Sequence, residues 1–181
     1  KLLEDSIKIN PNQADTNNNL GIIHIKLAKF KKAIYYLKNS VNINNKFIEA
    51  YNNLGIAYKE LNEYELAIKN WKKIIEIDSN NSYAYNNIGN VFLETNKVLE
   101  SFKYYKKSIE IDKKFYIGYF NLGNAYQKIN KHIESIKNYS TAIHLNKNYA
   151  EAYYNRGNSY KELNLLDECL SDYSQALKIN P

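Results

Sequence analysis

Five glycines, Gly21, Gly55, Gly89, Gly123 and Gly157, follow one another at a constant spacing of 34 residues. Two residues before each stands an asparagine: Asn19, Asn53, Asn87, Asn121 and Asn155. A fixed spacing of this length marks an array in which one supersecondary unit is copied, and such units are stable only when neighbours stack. With the glycine as position eight, the units run over 14–47, 48–81, 82–115, 116–149 and 150–181. Residues 1–13 read as the second helix of a truncated preceding unit, with Pro11 at position thirty-two, where Pro181 also falls. The chain has no methionine and stops at the end of a unit, which reads as a piece of a longer protein.

Within the unit, positions four, seven, eight and eleven lie on one side of a helix at 100° per residue. Position four reads Asn17, Tyr51, Tyr85, Tyr119, Tyr153, and position eleven His24, Tyr58, Phe92, Tyr126, Tyr160. Position twenty is small (Ala33, Ala67, Ser101, Ser135, Cys169) and position twenty-four large (Leu37, Trp71, Tyr105, Tyr139, Tyr173). Glycine at eight and small residues at twenty permit close approach of a neighbouring helix. Asn62, Asn96, Asn130 and Asn164, all at position fifteen, suit the left-handed backbone of a tight turn between two helices. Proline is missing from position thirty-two in four of the units, which predicts less sharply defined helix ends there.

This order of large, glycine, aromatic, small, aromatic and proline residues resembles the tetratricopeptide repeat over essentially the whole chain, the first unit departing most. The resemblance implies an all-α fold, a right-handed α–α superhelix of helix-turn-helix units, whose first helices line a concave groove where ligands bind.

Position six points about 200° away from position four, and so away from the packed stripe. Asparagine inside a helix costs about 0.5 kcal/mol against alanine. A carboxamide offsets this if it pairs with both the N–H and the C=O of an extended peptide. The ladder Asn19, Asn53, Asn87, Asn121 and Asn155 resembles that of the repeat arm of O-linked N-acetylglucosamine transferases, which grips peptide backbone. Alternatively, each asparagine bonds an adjacent helix or loop. The same groove is expected to carry Asn90, Asn124 and Asn158 at position nine, Tyr83 and Ile117 at position two, and Phe120 and Tyr154 at position five. Exposed apolar groups there suggest pockets for ligand side chains. A two-carboxylate clamp, as in chaperone-binding repeats, is disfavoured because position five offers Asn86 or Phe120 instead of lysine.

The net charge of +6 comes with a single arginine, Arg156, and heavy use of lysine, asparagine, isoleucine and tyrosine, the codon bias of an AT-rich genome. First-helix segments are nearly neutral. The surplus lysines, as in "KFKK" at 29–32 and "KYYKK" at 103–107, fall on turns and second helices. Nucleic acid is therefore not the expected partner, and an acidic partner on the convex face is the better match. His24, His132 and His144 are out of phase, and no metal-spaced histidine pair, phosphate loop or nucleophile motif occurs. The expectation is no enzyme, no cofactor and no metal. One cysteine fits a reducing compartment, and no apolar run is long enough to span a membrane. An intracellular protein, cytoplasmic or nuclear, is expected. The expected function is a scaffold holding an extended segment of a protein partner. The alternatives are an assembly module forming homo-oligomers through helix ends or the convex face, and a substrate-recruiting arm of a larger glycosyltransferase-like enzyme.

Overall fold

A computed structural model describes residues 13–181; the truncated helix expected over 1–13 falls, apart from Gln13, outside them. Ten α-helices and no strand occur among the described residues. They come in pairs: α1 (Ala14–Lys26) and α2 (Phe30–Ile43), α3 (Ile48–Glu60) and α4 (Tyr64–Ile77), α5 (Ser82–Glu94) and α6 (Val98–Ile111), α7 (Tyr116–Lys128) and α8 (His132–Leu145), α9 (Ala150–Glu162) and α10 (Leu166–Ile179). Each pair lies within one 34-residue unit. The chain divides into two compact units, one up to Ala84 and one from Tyr85 onward.

In the first unit α1 packs on α2, α3 on α4, and α2 on α3. Its core holds Leu20, Leu37, Leu54, Trp71 and Ile74. In the second unit α7 packs on α8, α8 on α9 and α9 on α10. One cluster there joins Tyr105, Leu122 and Ala125, another Ala142, Ile143 and Ala152. Every small residue at position twenty is buried, Cys169 included. The position-eight glycines make room for the large residue at position twenty-four, Leu37 facing Gly21 and an aromatic ring facing each of the other four. A Cβ on Gly89 would come to 2.7 Å from Cε1 of Tyr105, and one on Gly123 to 2.6 Å from Cε1 of Tyr139, inside any real carbon contact.

The turns follow the backbone rule read at position fifteen. Asn62, Asn96, Asn130 and Asn164 have φ between 57° and 62°, and Ala28 takes the same place at 52°. The next residue then closes the first helix with a bond back across its last turn. Glu63 N–H donates to the Tyr58 carbonyl at 2.9 Å, and Lys131 N–H to that of Tyr126 at 3.0 Å. The second helices do not end loosely where proline is missing. They stop at the same position, at Ile43, Ile77, Ile111 and Leu145. The following Asn or Asp folds the chain in an Asx turn, its side-chain oxygen accepting the N–H two residues on. These bonds are Lys46 to Asn44 at 3.1 Å, Asn80 to Asp78 at 3.0 Å, Lys114 to Asp112 at 2.9 Å and Asn148 to Asn146 at 3.1 Å. A side-chain acceptor does here what the proline ring would have done.

Candidate functional site

The position-six asparagines are not idle. Asn53 donates from Nδ2 to Oδ1 of Asn18 at 2.9 Å, and Asn121 to Oδ1 of Asn86, also at 2.9 Å. Asn18 and Asn86 are the buried position-five residues of the preceding repeats. The next repeat cannot copy this, because position five has become Phe120. Asn155 turns instead to Oδ1 of Asn124, at position nine of the preceding repeat, at 3.0 Å. Asn87 is half-buried and is not free of partners. Asn19 is exposed. The ladder thus ties α3 to α1 in the first compact unit, and α7 to α5 and α9 to α7 in the second. One amide proton of Asn53 and of Asn121 is held by that bond, while the second proton and the carbonyl oxygen are not.

Position nine has a second role that its sequence column did not reveal. Oδ1 of Asn90 accepts from the Tyr105 hydroxyl at 2.8 Å, Oδ1 of Asn124 from Tyr139 at 2.7 Å, and Oδ1 of Asn158 from Tyr173 at 2.6 Å. Tyr105 and Tyr139 are fully buried. Burial pushes both phenols well above the ordinary tyrosine value, the Asn155 side chain partly offsetting this for Tyr139. A buried hydroxyl needs a partner, and asparagine one helix away supplies it. In the first two repeats position twenty-four is Leu37 or Trp71, and position nine is Ile22 or Ile56. The indole N–H of Trp71 finds Oδ1 of Asn52 at 3.2 Å instead. The signal was the co-variation of two columns inside one chain: tyrosine with asparagine, leucine or tryptophan with isoleucine.

Each unit opens a cavity at a ladder asparagine. In the first, about 310 Å³ is lined by Asn18, Ile22, Asn52, Asn53, Ile74 and Tyr83, among others. In the second, about 550 Å³ is lined by Phe120, Glu151, Tyr154, Asn155, Tyr173 and Leu177, among others. Tyr83 is 59% and Tyr154 55% exposed, so both present ring surface to solvent. Tyr154 stacks on Tyr173, their centroids 5.6 Å apart. Phe120 is more committed to the interior, 4.8 Å from the ring of Tyr149. Burial, then the nearby Glu151 and Tyr116, pushes the Tyr149 phenol up to about 12. Asn53 and Tyr83 therefore share one cavity, and Phe120, Tyr154 and Asn155 the other. Asn19, Asn87, Asn121 and Ile117 line neither.

One polar constellation went unread in the sequence. Arg156 stands at position seven, where the other repeats place Leu20, Leu54, Ile88 and Leu122. Its Nε and one terminal nitrogen each donate to Asp172 at 2.7 Å, and the other terminal nitrogen to Oγ of Ser140 at 2.8 Å. The guanidinium also lies 5.6 Å from the ring centroid of Tyr153 and 5.8 Å from that of Tyr160. Burial works against its charge, but the Asp172 carboxylate outweighs this and raises its pKa. Among the described residues no three His, Cys, Asp or Glu side chains converge as a metal site, and no helix is long and apolar enough to cross a membrane.

Sequence-family models described as tetratricopeptide repeat match residues 14–47, 48–81, 82–115, 104–137 and 150–181, and one described as TPR repeat matches 128–164. The chain belongs to the tetratricopeptide-repeat family. No curated protein matches it significantly. Solved structures of this fold do. MamA is 22% identical with a TM-score of 0.73, over 88% of this chain and 93% of MamA. YrrB, described as a TPR protein with an unusual peptide-binding site, is 16% identical with a TM-score of 0.66, over 100% of this chain and 93% of YrrB. A chain of the APC/C hetero-tetramer Cut9–Hcn1 is 18% identical with a TM-score of 0.85, over 98% of this chain and 36% of the other. These likenesses establish the fold class as the all-α tetratricopeptide-repeat class of α–α solenoids.

Proposed function

We propose that this tetratricopeptide-repeat chain is a non-catalytic interaction module that holds an extended segment of a protein partner along the faces bearing the ladder asparagines. The observation that carries the reading is the repeated pairing of a ladder asparagine with an exposed tyrosine at one cavity: Asn53 with Tyr83, and Asn155 with Tyr154. The bond from Asn53 to Asn18 fixes the carboxamide plane and leaves one N–H and the carbonyl oxygen for a peptide group. The tyrosine beside it offers apolar surface for a ligand side chain. Backbone pairing gives affinity with little regard for sequence, and the cavities give preference. The peptide-binding site for which YrrB is described is a precedent on the same fold.

The test is selection from a random peptide library, with backbone N-methylation of the selected peptides. Methylation should abolish binding, and Asn53→Ala or Asn155→Ala should weaken it. Binders indifferent to both would refute the reading. Stability separates the two roles of the asparagines. Asn53→Ala leaves Asn18 without its donor, costing about 1 kcal/mol against about 0.5 kcal/mol gained in helix propensity. Asn19→Ala, with no such bond among the described residues, should gain about 0.5 kcal/mol.

Self-association is a second reading, favoured by the outer face of α10. Leu170 is 64% and Leu177 65% exposed, although one repeat earlier Ile143, the counterpart of Leu177, is only 8% exposed beneath α9. Sedimentation at rising concentration should detect a dimer that Leu170→Lys with Leu177→Lys abolishes. A monomer at all concentrations excludes it.

A further inference from the structure

A cavity on the opposite side of the first unit has a chemistry of its own. It lies between the second helices α2 and α4, over the back of α3, with a volume of about 570 Å³. Leu54, Tyr51 and Tyr58 form its apolar floor, and Lys38, Lys69 and Lys73 stand around it. Lys73 is already paired with Glu76 at 2.7 Å. Neither Lys38 nor Lys69 meets a carboxylate among the described residues. The Lys38 ammonium lies 5.9 Å from the centroid of the Tyr58 ring.

The repeats themselves indicate what this niche is built to take. Three repeats further on, wholly inside the second unit, Leu54 is replaced by Arg156, Asn70 by Asp172 and Lys38 by Ser140, while Tyr51 and Tyr58 remain tyrosine as Tyr153 and Tyr160. There the niche is satisfied from within. Asp172 meets a cation framed by the two rings, through a pair of 2.7 Å bonds to Arg156. Lys69 and Lys73 have become Ser171 and Gln175, so the rim charge is gone where the internal carboxylate is present. In the first unit the tyrosine frame and the cations are kept, and the carboxylate is missing.

We infer that this cavity in the first unit binds an acidic segment of a protein partner, whose carboxylate enters between Lys38 and Lys69 while an adjacent apolar side chain rests on Tyr51, Tyr58 and Leu54. The site is independent of the ladder faces, because it lies on the far side of α3 and shares no residue with either ladder cavity. A partially desolvated carboxylate between two ammonium groups forms charge-assisted hydrogen bonds, and the Tyr58 ring adds cation–π attraction for Lys38. The apolar floor makes the site selective for carboxylates flanked by Leu- or Phe-like groups over bare polyanions.

The experiment is a fluorescence-anisotropy titration of the chain with a labelled peptide alternating aspartate and leucine. Polyaspartate of equal charge and a single-stranded oligonucleotide serve as competitors. Two variants report on the site. Lys38→Ser with Lys69→Ser installs the residues of the last repeat at exposed positions. Leu54→Arg with Asn70→Asp installs its internal ion pair and fills the cavity, with circular dichroism checking the fold. Each is expected to weaken the peptide about tenfold or more. Polyaspartate and the oligonucleotide should compete at least about tenfold less well per charge. The proposal is overturned if the peptide does not bind, if the exposed lysine variant binds as the parent does, or if either competitor matches the peptide. In that last case the lysines attract anions only as a charged surface.

Discussion

Breaking the bond between Tyr105 and Asn90 tests the rule that position nine serves position twenty-four. The Tyr105 side chain is fully buried, and its hydroxyl has Oδ1 of Asn90 at 2.8 Å. Asn90→Ile strands that hydroxyl inside the repeat, which costs about 1–3 kcal/mol. Tyr105→Phe removes the hydroxyl and leaves a half-buried carboxamide that water can reach, at a cost of about 1 kcal/mol. The double variant restores the apolar pairing seen where Ile22 and Ile56 accompany Leu37 and Trp71, so its cost should fall below that of Asn90→Ile alone. The coupling energy is then about 1–2 kcal/mol, well outside the 0.5 kcal/mol or so within which unconnected substitutions add. Urea unfolding of the four proteins, followed by far-UV circular dichroism and compared at a common m-value, measures it. Additive costs would refute the reasoning, because the two columns would then co-vary for some reason other than the hydroxyl.

Three further outcomes follow from the same physics. Ala28 holds a left-handed turn at φ 52°, so Ala28→Asn, the residue of the other four turns, should stabilise by roughly 0.5–1 kcal/mol in thermal or urea unfolding. Arg156→Leu leaves the Asp172 carboxylate, 7% exposed, without its cation and should cost about 3 kcal/mol or more. Adding Asp172→Asn, which recreates the Leu54 and Asn70 arrangement, should recover most of that loss. Above pH of about 10 an unfolded chain releases its tyrosine protons while buried Tyr105 and Tyr139, their values raised by burial, keep theirs. The folded state then binds more protons, so stability falls as pH rises, by up to about 1.4 kcal/mol per pH unit for each such tyrosine. Melting temperatures between roughly pH 9 and pH 11 should decline more steeply for the parent than for Tyr105→Phe.

What the sequence reveals here depends on whether an interaction stays within one helix phase. The helix pairs, the buried stripe, the glycine-to-aromatic contact and the left-handed turns all follow from fixed offsets. The Asx turns after Ile43, Ile77, Ile111 and Leu145 are also written there, as Asn or Asp in the column just before the missing prolines. The ladder is harder. That position six faces away from the core follows from 100° per residue, yet which acceptor lies nearby depends on how far one first helix sits from the last. Asn53 reaches position five and Asn155 reaches position nine because Phe120 offers no oxygen, a difference no periodicity encodes. Arg156 is the one charged residue at position seven. Its column, otherwise leucine or isoleucine, was the sign that it would be drawn inside, and Asp172 the reason that it could be.

The two kinds of asparagine differ in where their partners sit along the chain. The pairs of Asn90 with Tyr105, Asn124 with Tyr139 and Asn158 with Tyr173 each close within one 34-residue unit, whereas the bonds from Asn53, Asn121 and Asn155 reach back into the unit before. A unit duplicated or transplanted whole therefore carries its hydroxyl-and-carboxamide lock with it and can fold in a new setting. Its seam does not travel. A unit bearing phenylalanine at position five must itself offer asparagine at position nine, as Phe120 and Asn124 do together, or the joining amide of the next unit has nothing to hold. Recombination in such an array is thus free inside each block, and a junction holds wherever the block before it offers a carboxamide oxygen at position five or nine.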